Sequence, residues 1–433
     1  MSNIDRDLAV QPGDTLRRIA RAGASLLGAL MILLVTCATN GLHVDGTVLD
    51  AETRRPVAGA VITIAGTSKL TQKDGAFRIE AAGTQIGVRA HGYSRYQAML
   101  SASHERPLEI TLRPVLPRAV YLSPPALKDR LLRESILGLH GSTQVNAMVI
   151  DVKDDRGVLW LGASGFPMVG QAAEDLTEST ELKALVERLH QDGMYAIARV
   201  AVFKDDVLGQ ANPEMALRNR DGSILRDNDG RGWTDPRNKT VWAYNIAVAV
   251  AAARNGFDEI QFDYVRFPSV NLGIQPTLSS ADRREAIRGF LSQARAALLR
   301  YNVFVAANVF GYASWDPSDT NIGQNLEEIA KEVDYICLML YPSAFAHGIP
   351  GSRMPLENPG RIVDLSLRKA QGRTGLPAIR FRPWLQAFRD DRFDGRPFAR
   401  AQITAQTRIA DQFGSDGWML WNARSIYSVD ALP

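Results

Sequence analysis

The sequence predicts an α/β protein: a (β/α)8 barrel, preceded by a small all-β sandwich and an N-terminal hydrophobic leader. Three observations predict it. The chain opens on arginines followed by an apolar run, continues in short strands separated by turn signals, and then alternates apolar runs with amphipathic stretches. At 433 residues it exceeds one ordinary domain.

The leader spans residues 1–40. Arg17, Arg18 and Arg21 precede the nearly uncharged run from Ala22 to Ala38. Positive charge ahead of a hydrophobic segment is the pattern of a signal peptide or membrane anchor. It predicts export to the periplasm or cell envelope, cleaved or anchored, with membrane contact through this segment. Hydrophobic residues at 45% and charged residues at 22% exclude a mostly disordered chain. A net charge of +3 argues against a dedicated nucleic-acid binder. Only Cys37 and Cys337 are present, with six histidines, which excludes a disulfide framework and disfavours a cysteine-rich zinc site. No cofactor or metal is expected.

The sandwich is expected over residues 41–114, with strands His43–Leu49, Ala60–Ala65, Gly75–Ile79, Ile86–Ala90 and Leu108–Leu112. Lys73-Asp74-Gly75 supplies a turn. His43, His91 and His104 are too scattered for a metal site. Gly46-Thr-Val-Leu-Asp50, Pro56-Val-Ala-Gly-Ala-Val61, Thr71-Gln-Lys-Asp-Gly-Ala-Phe77 and Val88-Arg-Ala-His-Gly-Tyr93 resemble the carboxypeptidase regulatory-like domain. The resemblance implies a transthyretin-like sandwich in an accessory role.

The barrel is expected over residues 117–433. Its runs are Ala119–Leu122, Ala147–Val152, Tyr195–Phe203, Glu259–Val265, Val303–Phe310, Tyr335–Tyr341, Ala378–Leu385 and Trp418–Trp421. Helices between them carry one apolar face, as in Leu182, Leu185, Val186 and Leu189. Strand–helix alternation implies a parallel sheet, and eight units suit a closed barrel. A doubly wound sheet is the alternative, weakened by the absence of a glycine-rich dinucleotide fingerprint.

In such a barrel the site lies at the C-terminal strand ends. Alternation along the strands then points Asp151 and Lys153, Arg199, Gln261 and Asp263 inward, with Arg266 just beyond. Asn308, Tyr341, Trp384, Gln386 and Trp421 close the remaining strands. Carboxylates beside cations and aromatic platforms, without a thiol–His or Ser–His pair, fit glycoside hydrolysis. Asp263 and Asp151 are the candidate catalytic residues. Lys153, Arg199, Arg266, Asn308, Tyr341, Trp384, Gln386 and Trp421 are the candidate substrate-binding residues. A buried ion pair bracing the lumen is the alternative role of Asp151 and Lys153, and a salt bridge to Arg266 that of Asp263.

Val149-Ile-Asp-Val-Lys-Asp-Asp-Arg-Gly157, Ala198-Arg-Val-Ala-Val-Phe-Lys-Asp205, Gly256-Phe-Asp-Glu-Ile-Gln-Phe-Asp-Tyr-Val-Arg-Phe-Pro268 and Met339-Leu-Tyr-Pro342 resemble DUF4015, a glycoside hydrolase-type barrel family of exported bacterial proteins. The resemblance implies a TIM barrel acting on a polysaccharide or oligosaccharide. Two departures bear on mechanism. Val265 stands where chitinase-like barrels carry their acid Glu, which argues against substrate-assisted chemistry. Asn308 stands where the family segment tends to carry an acid, so Asp151, Asp205 or Asp316 would be recruited as the second carboxylate. The alternative is a non-catalytic carbohydrate-binding or envelope-scaffold barrel. A metal-dependent hydrolase is a weaker reading, because His140, His190 and His347 fall in no ligand spacing.

Overall fold

The computed structural model describes residues 42–100, 107–160, 180–269 and 277–433. The leader and His104 lie outside the described residues.

Among the described residues seven strands form the N-terminal sandwich: β1 Leu42–Asp50, β2 Val61–Ile64, β3 Thr67–Leu70, β4 Ala76–Ala81, β5 Gln85–Arg89, β6 Tyr96–Met99 and β7 Leu108–Leu112. One sheet runs β4-β1-β7 and the other β3-β2-β5-β6. Val44, Val48, Ile62, Ile64, Phe77, Ile79, Ile86 and Val88 are buried, following the strand alternation of the sequence. Strands β3 and β6 were not expected. Both are edge strands, and β3 is exposed along its whole length, so no buried face marks it in the sequence.

The barrel strands are β8 Arg118–Leu122, β9 Ala147–Lys153, β10 Tyr195–Ala201, β11 Glu259–Asp263, β12 Phe304–Phe310, β13 Tyr335–Met339, β14 Trp384–Gln386 and β15 Trp418–Trp421. They are parallel and close in chain order, β15 pairing back to β8. The described helices are α1 Pro124–Lys128, α2 Arg130–Leu137, α3 Thr180–Gln191, α4 Asp206–Ala211, α5 Lys239–Arg254, α6 Ser280–Leu298, α7 Leu326–Glu332, α8 Pro359–Thr374 and α9 Arg400–Phe413. The Asn238 side chain caps α5, accepting from Thr240 N at 2.9 Å, and a Ser279/Asp282 capping box starts α6.

Two apolar layers result. Val120, Ile150, Ala198, Ile260 and Val305 pack outward against the helices. Ala119, Val149, Ile197, Phe304, Cys337, Trp384 and Met419 fill the lumen. The seventh strand departs from expectation: Ala378–Arg380 is a 3₁₀ turn, and the strand is only Trp384–Gln386. Pro383, with no N–H for a ladder, precedes it.

The N-terminal end of the lumen is closed by charge and then by the sandwich. Arg382, fully buried, pairs with Glu259 and with Asp416 at 2.9 Å, and lies 4.1 Å from the Tyr335 ring centroid. His91 of the sandwich packs edge-on to Tyr335 at 5.0 Å. Arg95 donates to Asp258 at 2.8 Å, and Asp258 also meets His190 Nε2 at 2.8 Å. Asn302, left-handed at φ 54°, donates to Tyr96 O at 2.9 Å. A Cβ on Gly87 would stand 2.6 Å from the Asn302 side chain, so only glycine admits this approach. The sandwich therefore seats on the barrel floor.

Candidate active site

At the opposite end of the lumen a cavity of ≈ 210 Å³ opens, lined by Arg199, Asp263, Tyr264, Arg266, Asn308, Phe310, Met339, Tyr341, Ala344, Trp384 and Trp421. Asp263 ends β11 and Arg199 lies in β10, one pair earlier in register (Arg199 opposite Gln261, Ala201 opposite Asp263). Both side chains therefore face the lumen. Arg199 donates to Asp263 Oδ2 from Nε at 2.8 Å, with Nη2 also at 2.8 Å, and to Asp151 Oδ1 from Nη1 at 2.6 Å. Tyr121 donates its hydroxyl to Asp151 Oδ2 at 2.6 Å.

The two carboxyls separate electrostatically. Burial would raise Asp263, but the Arg199 charge, the Asn308 amide and the Tyr264 N–H outweigh it and hold the group below the usual carboxylate range. For Asp151 burial prevails over Arg199 and Tyr121, and the carboxyl is pushed up to about 6. Asp263 is thus a fixed anion at the cavity wall. Asp151, 1% exposed, is outside the cavity lining and braces Arg199.

Asn308 is equally constrained. Its Oδ1 accepts from Trp384 Nε1 at 2.9 Å, which turns its amide nitrogen toward Asp263. Trp421 stacks on Tyr121 at 4.2 Å and meets Trp384 edge-on at 5.4 Å. Arg199 lies 5.0 Å from the Trp421 ring centroid. The predicted Arg199, Arg266, Asn308, Tyr341, Trp384 and Trp421 are brought together with Asp263.

Lys153 and Gln386 are not. In the register Arg199 faces Asp151 while Val200 faces Lys153, so Val152 is a bulge and Lys153 turns to the helix side. There its ammonium pairs with Asp205 at 2.6 Å, donates to Asn245 Oδ1 at 2.8 Å, and is 0% exposed. Gln386 spends its amide on Ser343, accepting from the backbone N–H at 3.0 Å and donating to Oγ at 2.6 Å. It is fully buried and ties the β13 and β14 loops together. Of the three expected stand-ins for the missing acid, Asp151 is bound to Arg199 beside the cavity, Asp205 partners Lys153 and caps α4, and Asp316 accepts from Ser318 in an exposed turn. The alternative role of Asp263, a salt bridge to Arg266, is not seen among the described residues, where Asp263 is paired with Arg199.

Tyr121, Tyr264, Trp233, Phe310 and Met339 were missed. Alternation in the first strand points Tyr121 inward with Ala119, so that signal was present. Tyr264 adopts φ 47°, a strained left-handed turn directly after Asp263 that the sequence does not announce. Among the described residues no group of three or more His, Cys, Asp or Glu side chains is placed to hold a metal ion.

A profile of the family described as "Putative glycosyl hydrolase domain" (DUF4015) matches residues 119–427. The chain belongs to this family. The matched segment starts in β8 and ends beyond β15, so membership covers the barrel and leaves the sandwich outside. The glycoside hydrolase domain of PgaB (BpsB) from Bordetella bronchiseptica is 16% identical, with a TM-score of 0.53, over 74% of this chain and 100% of that one. It shares the fold. A hypothetical protein from Ruminiclostridium thermocellum is 32% identical over 43% of this chain and 96% of its own, with a TM-score of 0.37. No curated protein matches. The chain is a glycoside hydrolase-type TIM barrel.

Proposed function

We propose that the barrel cleaves glycosidic bonds of a polysaccharide, with Asp263 as the carboxylate that faces the sugar. The observation that carries this reading is the Asp263 carboxylate, the acid lining the cavity among the described residues, beside Trp384, Trp421 and Tyr341. Glycosidic transition states have oxocarbenium character, so a fixed anion at the anomeric carbon lowers their energy, while aromatic faces carry the ring. Its lowered pKa suits a nucleophile or electrostatic stabiliser, not the acid that protonates the leaving oxygen. Asn308 has no acidic proton to give.

That same Asn308 favours the second reading, a non-catalytic carbohydrate-binding or envelope-scaffold protein on a degenerate barrel. One experiment separates them: a glycan panel assayed in parallel for binding and for release of reducing ends. Release by the wild-type chain supports hydrolysis. Saturable binding of the same glycan without release supports the scaffold.

The basic-then-apolar leader, Arg17 to Ala38, supports export to the periplasm or envelope, cleaved or as a membrane anchor. Cell fractionation tests it, and a wholly cytoplasmic product would exclude it. The sandwich motifs support a carboxypeptidase regulatory-like domain.

A further inference from the structure

Arg266 is the cavity cation that the hydrolytic reading leaves without a task. Its hydrogen bonds leave from Nη1 alone, to Phe267 O at 3.0 Å and Ser269 Oγ at 3.2 Å. Nε and Nη2 have no protein acceptor among the described residues. The guanidinium carbon lies 4.9 Å from the Trp233 ring centroid and 5.2 Å from that of Tyr264, two rings that meet edge-on at 5.8 Å. Trp233 is buried, and its Nε1 is fixed by Asp227 at 2.9 Å. The acids nearest Arg266 in charge, Asp263 and Asp227, are both committed elsewhere: Asp263 to Arg199, and Asp227 to Lys204 at 2.9 Å. Burial depresses the Arg266 pKa, as expected of a desolvated cation without a close anion.

We propose that Arg266 is a specificity-determining residue that recognises a carboxylate on the sugar, so that the site takes an acidic glycan built from uronic acid units. The planar Nε–Nη2 edge matches a carboxylate in two parallel charge-assisted hydrogen bonds, and the Trp233–Tyr264 frame fixes its orientation before the ligand arrives. A neutral sugar hydroxyl accepts one weaker bond there and leaves the desolvated charge uncompensated. This inference rests on the carbohydrate reading of the cavity.

The test titrates the full chain calorimetrically with galacturonate, glucuronate and mannuronate trisaccharides and with their methyl esters, which keep the ring and remove the charge. At least one acid should bind tenfold or more tightly than its ester, by a margin that shrinks with added salt. Arg266→Gln should abolish the preference and Arg266→Lys should keep part of it. Equal wild-type affinity for acid and ester, an undiminished preference in Arg266→Gln, or no binding by any acidic trisaccharide overturns the inference. Reducing ends are measured in the same samples. Acid-selective binding without cleavage supports the Arg266 assignment while removing hydrolysis, and cleavage confined to neutral glycans does the reverse.

Discussion

Asp151 and Asp263 share one guanidinium: Arg199 holds Asp151 through Nη1 at 2.6 Å and Asp263 through Nε at 2.8 Å. Two buried anions on a single cation cannot be equally stabilised, and the asymmetry orders the site. Asp263 stays ionised at the cavity, while Asp151, further tied to Tyr121, is the carboxyl that takes up a proton first.

Replacing Arg199 with Leu leaves both carboxylates buried without a counter-ion. Removing one partner from a buried ion pair costs about 3–5 kcal/mol. Chemical denaturation at mildly acidic and mildly alkaline pH should show the larger loss on the alkaline side, where both acids would have to carry charge. A loss independent of pH would contradict the shared-cation account.

The pH dependence of stability carries opposite signs for the two acids. Asp151, raised to about 6 when folded, holds its proton more tightly in the folded state. Its contribution is full below the unfolded carboxylate pKa and is lost as pH rises through 6. The advantage of wild type over Asp151→Asn should therefore fall by on the order of 2–3 kcal/mol between about pH 4 and 7. Asp263, lowered on folding, contributes above its unfolded pKa and loses that contribution as pH falls through its folded value. Urea titrations across this range check both, and a flat Asp151→Asn difference would refute the first.

Lys153→Met should lower stability by about 3–5 kcal/mol, because Asp205 then lies buried and unpaired. Affinity for any glycan the cavity binds should not change. Thermal melts alongside binding titrations distinguish the outcomes: a weakened Kd with an unchanged melting temperature would return Lys153 to the site.

Gly87→Ala should destabilise the sandwich–barrel junction by about 1–3 kcal/mol through overpacking on Asn302. Asn302→Gly in the same chain should restore much of that loss, since glycine accepts the left-handed backbone and vacates the space. Additive destabilisation in the double variant, read by denaturation, would argue against a direct contact.

Strand alternation made the inward set readable wherever the strand was regular. Asp151, Arg199, Gln261 and Asp263 all obey it. It failed at Lys153 because a bulge at Val152 resets the period, and a one-residue slip sends a side chain to the other face. Gln386 shows a different limit: alternation gives direction but not hydrogen-bond partners, and its partner Ser343 comes from another loop. Trp233 and the Arg266 frame depend on a loop packing back over β11, a long-range contact with no local signature. The Arg382–Glu259–Asp416 floor was equally hidden, as its members sit at three separate strand starts.

The central claim is that Asp263 is the reacting carboxylate of a carbohydrate-cleaving barrel. It is tested most directly by Asp263→Asn, which keeps shape and removes charge, measured for binding and for cleavage of the same glycan. Binding within a few-fold of wild type, with release of reducing ends reduced by roughly a thousandfold or more, is the predicted result. Cleavage at the wild-type rate would contradict it.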